Sequence, residues 1–320
     1  MTQRVSIVVP VKNEESSAQP LIDSISRQSK LPAEVIFIDG GSWDRTKDII
    51  RQNMGSAPFK LILVELEKAY PGQGRNAGIA KAGCGLVAFT DGGIVLDEKW
   101  LEALTAPIEA DDAVDVVYGV YEPIVDSFIK ECSLMAYIPA KEKIGPKVFR
   151  TNSIVSSLFK KKICEDAGLF PPFRAAEDKI FMDNVRGLGA KIAYTDKAVA
   201  RWQIPPSLRA IFRRFCGYSM HDIAAGRARD WHYSVIRTYC LIILLLFLGI
   251  FINGIFLAAI PALLAIRIFR ILYKRREDFR WKYALDPRYL VTIIAIIFLT
   301  DIAMFCGLAA YLSRRYGTGK

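Results

Sequence analysis

The pattern of apolar and polar positions changes its character along the chain. Up to about residue 230, apolar runs of four to eight residues alternate with polar stretches. Beyond that point, residues 239–266 and 289–312 form two long and nearly uncharged stretches. Short apolar runs between polar stretches are typical of buried strands, and long ones are typical of membrane-spanning helices. The sequence therefore predicts an α/β domain over residues 1–230, followed by an α-helical membrane domain over residues 231–320.

Three apolar runs of the first domain read as buried strands. They lie at residues 5–11 (VSIVVPV), 34–39 (EVIFID) and 86–89 (LVAF), and helix-like stretches follow the first two. This alternation, with continuously apolar strands, indicates a largely parallel sheet.

Polar residues follow each of these runs. Asn13 and Glu14 come after the first run, Asp39 ends the second, and Asp91 follows the third. In parallel sheets ligands bind beyond the carboxyl ends of the strands, so these residues are candidates for binding. Each of them, taken alone, is also a common helix cap or turn former.

The membrane domain is expected to cross the bilayer three times. The first long stretch exceeds the roughly 20 residues that one crossing needs, and Asn253-Gly254 near its middle marks a hairpin turn. The expected spans are residues 236–252, 254–272 and 289–312. An alternative is a single tilted span in place of the hairpin. Asp301 within the last span is expected to contact other helices or lipid headgroups.

The distribution of charge sets the expected orientation. The basic segment 267–288 lies between the apolar stretches, and the positive-inside rule places it in the cytoplasm. Because no basic leader with an apolar core opens the sequence, we expect a cytoplasmic first domain and a multi-pass protein of the cell membrane. The net charge of +10 lies largely beside the membrane, which favours anionic lipid over nucleic acid as a partner.

The cysteines and histidines exclude two kinds of site. Six cysteines are scattered without a CxxC spacing, and two histidines are present. This pattern argues against a zinc site and against a disulfide framework.

Four sequence blocks resemble, in order and spacing, those of family 2 glycosyltransferases. The blocks are VSIVVPVKNEE, VIFIDGGSWDRT, PGQGRNAGIAKAGCGLVAFTDGG and FRAAEDKIFMDNVRGLGAKIAY. The resemblance covers roughly residues 4–230. It implies a GT-A nucleotide-diphospho-sugar transferase fold, with a Rossmann-like mixed sheet, and the transfer of a sugar from a UDP- or GDP-linked donor.

The resemblance also implies which residues bind the donor. The residues that it assigns to nucleotide-sugar binding are Pro10, Asn13, Glu14, Asp39, Gly41, Ser42, Arg75, Asn76, Asp91 and Gly92. Among these, Asp39 matches the acidic residue that hydrogen-bonds the base. Arg75 offers a fork of donors either to a diphosphate or to the base-binding carboxylate.

One expected metal ligand is missing. In the family, the block that contains Asp91 usually ends in two carboxylates one residue apart, and these hold a divalent cation on the donor diphosphate; here the second position is Gly93. Since one carboxylate, phosphates and water can hold a hard cation, a Mg²⁺ or Mn²⁺ site with Asp91 as its ligand is expected. Asp97, further on, reads as the N-cap of the next helix.

The fourth block carries the expected catalytic pair, Glu177 and Asp178. In the family the aspartate is the general base that takes a proton from the attacking hydroxyl, which predicts inversion at the anomeric carbon. A helix N-cap is an alternative role for Asp178, and the two roles are compatible.

A basic segment follows the fourth block, with juxtamembrane helices expected at about 205–230. Trp202, Arg209, Arg213 and Arg214 lie where family members carry an amphipathic helix, which either neutralises the leaving phosphates or rests on anionic lipid. The segment lacks the Gln-x-x-Arg-Trp motif of processive members, which favours transfer of one sugar. A membrane lipid or a lipid-linked saccharide is the expected acceptor. The alternatives are a polyprenyl-phosphate glycosyltransferase and a non-catalytic membrane subunit.

Overall fold

The computed structural model describes residues 3–316 of the chain. By internal contacts the chain divides into two units. Unit 1 contains residues 3–124 and 142–203, and unit 2 contains residues 125–141 and 204–316.

Unit 1 alternates strands with helices. Its strands are β1 (Val5–Val11), β2 (Glu34–Asp39), β3 (Lys60–Glu65), β4 (Leu86–Phe89), β5 (Ile94–Leu96), β6 (Val116–Ile124), β7 (Glu142–Ile144), β8 (Lys147–Phe149), β9 (Ser157–Lys160) and β10 (Ile192–Gln203). The helices up to its end are α1 (Ala18–Ser26), α2 (Thr46–Asn53), α3 (Pro71–Lys81), α4 (Trp100–Ala110), α5 (Phe128–Ala136), α6 (Lys161–Asp166) and α7 (Glu177–Gly187). Of these helices, α5 belongs to unit 2.

Eight of the strands form one mixed sheet, in the order β3-β2-β1-β4-β9-β6-β10-β5. Strands β3, β2, β1 and β4 run parallel, as do β6 and β10. Strand β9 runs antiparallel to both β4 and β6, and β5 runs antiparallel to β10. Strands β7 and β8 form a separate hairpin. The mixed GT-A-like sheet expected from the sequence is confirmed.

The strands that lead to the site are buried on both faces. Alternate side chains of β1 pack into two different apolar cores, with Ile7 and Val9 in one and Val8 in the other. Burying side chains of this size stabilises a fold by roughly 1.5–3 kcal/mol each. The register pairs Val11 with Asp39, so β1 and β2 end at the same level and their following loops are neighbours.

Strand β3 has no counterpart in the sequence analysis, which identified the strands on either side of it along the chain. The strand is an edge strand in which one of six residues is buried, and charged residues stand at both of its ends. Its apolar run at residues 61–64 is nevertheless as long as that of β4, so the local pattern alone would have supported a strand there.

Unit 2 is helical. Besides α5 it contains α8 (Leu208–Ala224), α9 (Ala228–Phe251), α10 (Ile255–Lys274), α11 (Lys282–Leu285) and α12 (Pro287–Tyr316). Three of these helices, α9, α10 and α12, are long and apolar enough to cross a membrane. A turn separates α9 from α10 where Asn253 and Gly254 predicted one, and the Asn253 side chain accepts a hydrogen bond from the Ile255 N–H at 2.9 Å. The number of crossings and their direction stay predictions.

Helix α8 packs along α12 within unit 2. The Ser219 hydroxyl donates to the Met304 carbonyl at 2.7 Å, and a Cβ added at Gly307 would lie 2.5 Å from the Cys216 carbonyl oxygen. Residues 204–230, which the sequence analysis placed in the first domain, therefore group with the apolar helices. The sequence pattern lacked this information because the contact partner lies about 90 residues further along the chain.

An ion pair joins the apolar helices. The Arg267 guanidinium of α10 donates two hydrogen bonds of 2.7 Å to the Asp301 carboxylate of α12, and the Tyr239 hydroxyl of α9 donates a third at 2.9 Å. Asp301 is 3% exposed. As the sequence analysis expected of this carboxylate, it contacts other helices.

We expect Asp301→Asn to destabilise the protein by about 3 kcal/mol or more, because it leaves the Arg267 charge buried without a counter-charge. Replacing both residues by leucine should cost much less, because no unpaired charge remains. Thermal unfolding of the full chain in detergent measures both effects, with Asp286→Asn as a control at an exposed ion pair. An Asp301→Asn variant that unfolds at the wild-type temperature would show that the pair contributes little.

Candidate active site

The loop after β1 is held in an uncommon conformation. Asn13 has a φ of +57°, in the left-handed region that non-glycine residues rarely adopt. Its N–H donates to the Ser42 hydroxyl at 2.9 Å, and its side-chain oxygen accepts from the Trp43 N–H at 3.1 Å. The next N–H, of Glu14, donates to the Thr46 hydroxyl at 2.7 Å. These contacts fix the β1 loop against the β2 loop.

The loop after β2 is organised by Asp39. This carboxylate is 1% exposed and accepts hydrogen bonds from the Gly41 and Ser42 N–H groups at 3.1 and 3.0 Å. Gly41 has a φ of +87°, and a Cβ there would lie 2.3 Å from the Glu67 carbonyl oxygen, so the turn requires glycine. Asp39 thus shapes the loop, and its expected contact with a nucleotide base stays a prediction.

A buried guanidinium joins two of the expected site carboxylates. Arg75 of α3 is 2% exposed. One of its nitrogens donates to the Asp91 carboxylate at 2.7 Å, and another donates to the Glu177 carboxylate at 3.0 Å. The Phe170 ring lies under the guanidinium, 5.4 Å from Cζ to the ring centroid. The family resemblance implied a diphosphate or the base-binding carboxylate as the partner of Arg75. The structure shows two other carboxylates, those of Asp91 and Glu177, as its partners.

The charges of this cluster depend on one another. Burial by itself would lower the pKa of Arg75, but the carboxylates of Asp91 and Glu177 raise it, so the guanidinium stays charged. Burial raises the pKa of Glu177 to about 7; Arg75 opposes part of that rise, and the neighbouring Asp178 adds to it. Near neutral pH, Glu177 is therefore only partly ionised.

Asp178 lies in the first turn of α7 and is half-buried. The helix begins after Ala176, whose φ is +64°, and the Asp178 carboxylate accepts from the Lys179 N–H at 2.8 Å. Ala176 holds the N-cap position that the sequence analysis offered as an alternative role for Asp178.

Asn76 holds the segment that leads to α7. Its side-chain amide donates to the Phe170 carbonyl at 2.8 Å and accepts from the Phe170 N–H at 2.9 Å. The described contacts of Asn76 are thus structural, and its assignment to donor binding stays a prediction.

A cleft of about 730 Å³ opens at the carboxyl ends of β1 and β2. Its lining contains Pro10, Asn13, Glu14, Asp91 and Gly92 from the expected donor-binding set. Residues that the sequence analysis did not single out also line it, among them Lys12, Lys68, Tyr70 and Arg174. Three of these side chains are cationic and suited to phosphate oxygens. The sequence could have indicated Lys12 by its position directly after β1, and Arg174 by its place within the fourth sequence block.

The residues expected in the basic segment lie in different units. Trp202 belongs to β10 of unit 1, where it pairs with Ile94, so its placement on the amphipathic helix was wrong. Arg209, Arg213 and Arg214 are exposed on α8 of unit 2. Their expected contact with phosphates or lipid headgroups stays a prediction.

Asp97 does not cap the next helix. Helix α4 begins at Trp100 with Lys99 as its N-cap residue. The Asp97 carboxylate instead accepts two hydrogen bonds from Arg201, at 2.8 and 2.9 Å. Arg201 lies on β10, about 100 residues further along the chain, so the sequence around Asp97 could not indicate this partner.

Comparison with known proteins supports a glycosyltransferase fold. The family model described as glycosyl transferase family 2 matches residues 6–168. Glycosyltransferase AglE of Haloferax volcanii is 30% identical over 172 residues, which cover 52% of this chain and 56% of that protein. Dodecaprenyl-phosphate galacturonate synthase of Rhizobium johnstonii is 32% identical over 120 residues, which cover 36% and 35%. The chain thus spans about half the length, or less, of these curated relatives.

Two solved structures share the fold over nearly the whole chain. The mannosyltransferase PcManGT of Pyrobaculum calidifontis, in complex with GDP-Man and Mn²⁺, has a TM-score of 0.57 at 19% identity, with 95% of this chain and 88% of that one covered. Staphylococcus aureus TarS 1-349, in complex with UDP-GlcNAc, has a TM-score of 0.52 at 17% identity, with 98% and 92% covered.

The raised pKa of Glu177 predicts a pH dependence of stability. The folded protein holds this proton up to about pH 7, whereas an ordinary glutamate releases it near 4.5. The stabilising contribution is therefore complete below pH 4.5 and is lost as the pH rises through 7. We expect the unfolding temperature of Glu177→Gln, relative to wild type, to rise between pH 5 and pH 8. Thermal unfolding at several pH values measures this, with Glu15→Gln as an exposed control, and parallel curves would contradict it.

Proposed function

The chain belongs to glycosyltransferase family 2, and on that premise we propose that it is a membrane-anchored, inverting glycosyltransferase. It moves one sugar from a UDP- or GDP-linked donor to a hydroxyl group of a lipid or a lipid-linked saccharide.

The observation that carries this proposal is the position of Arg75. Its guanidinium holds Asp91, which follows β4, and Glu177, which opens α7, in one hydrogen-bonded cluster. Asp91 is expected beside the donor diphosphate, and the pair Glu177 and Asp178 is expected beside the acceptor. Arg75 thereby holds these two groups close to each other. A displacement reaction needs this proximity of donor and acceptor groups, because positioning removes much of the barrier.

Donor binding is assigned to the cleft at the ends of β1 and β2. The loops after these strands, fixed by the Asn13–Ser42 hydrogen bond, receive the base and ribose. Lys12, Lys68 and Arg174 supply positive charge for the diphosphate. The two structural neighbours, which are complexes with GDP-Man and UDP-GlcNAc, support a nucleotide-sugar as donor.

Asp178 is the proposed general base. It accepts the proton of the acceptor hydroxyl while that oxygen forms a bond to the anomeric carbon. The bond between this carbon and the diphosphate oxygen breaks, and the nucleoside diphosphate leaves with the electron pair. Because attack comes from the side opposite the leaving group, the configuration inverts.

A divalent cation fits beside Asp91. This carboxylate is partly exposed and gives one oxygen to Arg75, which leaves the other for a cation. Within residues 3–316, no group of three or more His, Cys, Asp and Glu side chains could hold a metal ion, so diphosphate oxygens are needed to complete a site. A bound Mg²⁺ or Mn²⁺ supplies positive charge that stabilises the departing diphosphate. The Mn²⁺ that accompanies GDP-Man in the PcManGT complex supports this assignment.

Unit 2 supports a lipid acceptor. Three apolar helices, α9, α10 and α12, anchor the protein in the cell membrane, with unit 1 on the cytoplasmic side. The exposed Arg209, Arg213 and Arg214 of α8 contact anionic lipid headgroups or the leaving phosphates. An enzyme tethered in this way meets acceptors that are themselves in the membrane.

A second candidate function is the glycosylation of a polyprenyl phosphate. The relative named dodecaprenyl-phosphate galacturonate synthase favours it. A phosphate oxygen is already ionised, so this reaction would need little help from a base.

We expect Asp178→Asn to lower turnover by about 100-fold or more, a typical loss for a general base, and to leave donor binding nearly unchanged. The measurement is release of nucleoside diphosphate from UDP- and GDP-sugars by the detergent-solubilised full chain, with membrane lipid extract as the acceptor source. Asp183→Asn, an exposed aspartate of the same helix, is the matched control.

The other outcomes distinguish the alternatives. Full activity of Asp178→Asn would overturn its role as base and favour a polyprenyl phosphate as acceptor. Donor binding without release in the wild-type protein, with an extract that contains the native acceptor, would favour a non-catalytic subunit.

A further inference from the structure

The β4 loop lacks the side chain that would complete its carboxylate pair. Asp91 is followed by Gly92 and Gly93, so this loop offers one carboxylate where two are expected. The next acidic residue along the chain, Asp97, is engaged by Arg201. A second carboxylate for a cation at Asp91 must therefore come from another part of unit 1.

Glu14 of the β1 loop reaches this place. A Cβ added at Gly93 would lie 3.8 Å from the Glu14 Oε2 atom, which is ordinary van der Waals contact. The Glu14 carboxylate thus lies in the direction in which a side chain at position 93 would extend. Both Glu14 and Asp91 line the cleft.

The two glycines make room for Glu14. A Cβ added at Gly92 would lie 2.8 Å from Glu14 Cγ and 3.2 Å from Glu14 Cδ, closer than two carbon atoms approach. Any other residue at position 92 would therefore displace the glutamate. The Gly92-Gly93 sequence thus lacks a second carboxylate of its own and leaves space for the Glu14 carboxylate.

The position of Glu14 is held from several sides. The left-handed conformation of Asn13 precedes it, the Thr46 hydroxyl accepts from its N–H, and the Ser17 hydroxyl donates to its Oε2 atom. Burial raises the pKa of Glu14, Ser17 opposes the rise, and the Asp91 and Asp44 carboxylates add to it. A cation bound beside Glu14 and Asp91 would oppose the repulsion from these carboxylates.

We infer that Glu14 supplies the second protein carboxylate of the divalent-cation site, in place of the acidic residue absent at position 93. The inference rests on the proposed function, because the cation is the one that accompanies the donor diphosphate. It gives Glu14 a role different from the base and ribose contact that the family resemblance implied.

The test measures Mn²⁺ binding directly. Free Mn²⁺ is followed by electron paramagnetic resonance in the presence of UDP or GDP, with the full-length protein in detergent. We expect Glu14→Gln to weaken Mn²⁺ binding by about 10-fold or more, at least the loss typical for a group that only supports a metal ligand. Glu15→Gln, an exposed neighbour with the same change, should bind as wild type does.

A second variant separates a metal role from a structural one. Gly93→Asp combined with Glu14→Gln restores a carboxylate pair on the β4 loop, and the backbone at Gly93 lies outside the left-handed region, so aspartate fits there. We expect this double variant to regain Mn²⁺ binding to within about threefold of wild type. Nucleotide binding measured with a chelator present should be the same in all four proteins.

Three results would overturn the inference. In the first, Glu14→Gln binds Mn²⁺ as tightly as wild type. In the second, the double variant stays as weak as Glu14→Gln, which would assign the loss to the loop and not to a ligand. Absence of Mn²⁺ binding by the wild-type protein would also refute it. Sugar transfer measured with chelator then shows independently whether the proposed function stands.

Discussion

The architecture of the site depends on one buried cation. Arg75 is enclosed by protein and must have counter-charges, because an unpaired guanidinium in such surroundings costs several kcal/mol. Its two carboxylate partners, Asp91 and Glu177, come from segments that are 86 residues apart along the chain. The pairing therefore forces the end of β4 and the start of α7 to the same place. Asn76, one residue beyond Arg75, holds the approach to α7 by its backbone. Helix α3 thus works as the fixed element against which both sides of the site are positioned.

In the loops of the cleft, too, polar side chains hold the backbone in place by hydrogen bonds. Asp39 accepts hydrogen bonds from its own loop, and Ser42 ties that loop to Asn13. The left-handed conformation of Asn13 costs of order 1–3 kcal/mol, and the surrounding hydrogen bonds hold the residue in it. Small residues, among them Gly40 and Gly74, line the cleft together with the charged side chains. This arrangement suits a ligand with a flat base and a ribose, which needs close approach of the backbone.

Much of this architecture was accessible from the sequence, for a physical reason. Central parallel strands are continuously apolar and stop abruptly at polar residues, so the ends of β1, β2 and β4, and the residues after them, could be located. Features that depend on partners far away in the chain could not be predicted from the sequence. The partners of Arg75 and the strand position of Trp202 are of this kind. The proximity of Glu14 to Gly93 is another, since the two lie in different sequence blocks and neither motif alone implies the contact.

The role of Arg75 also bears on the order in which ligands assemble. One oxygen of Asp91 is engaged by the guanidinium, so this carboxylate offers a cation a single oxygen and not a bidentate grip. A hard cation with six or more oxygen ligands, if bound there, would therefore take most of them from diphosphate and water. Affinity for the free ion should accordingly be low, and the nucleotide should bring the cation with it. The guanidinium also offsets the mutual repulsion of the Asp91, Glu177 and Asp178 carboxylates.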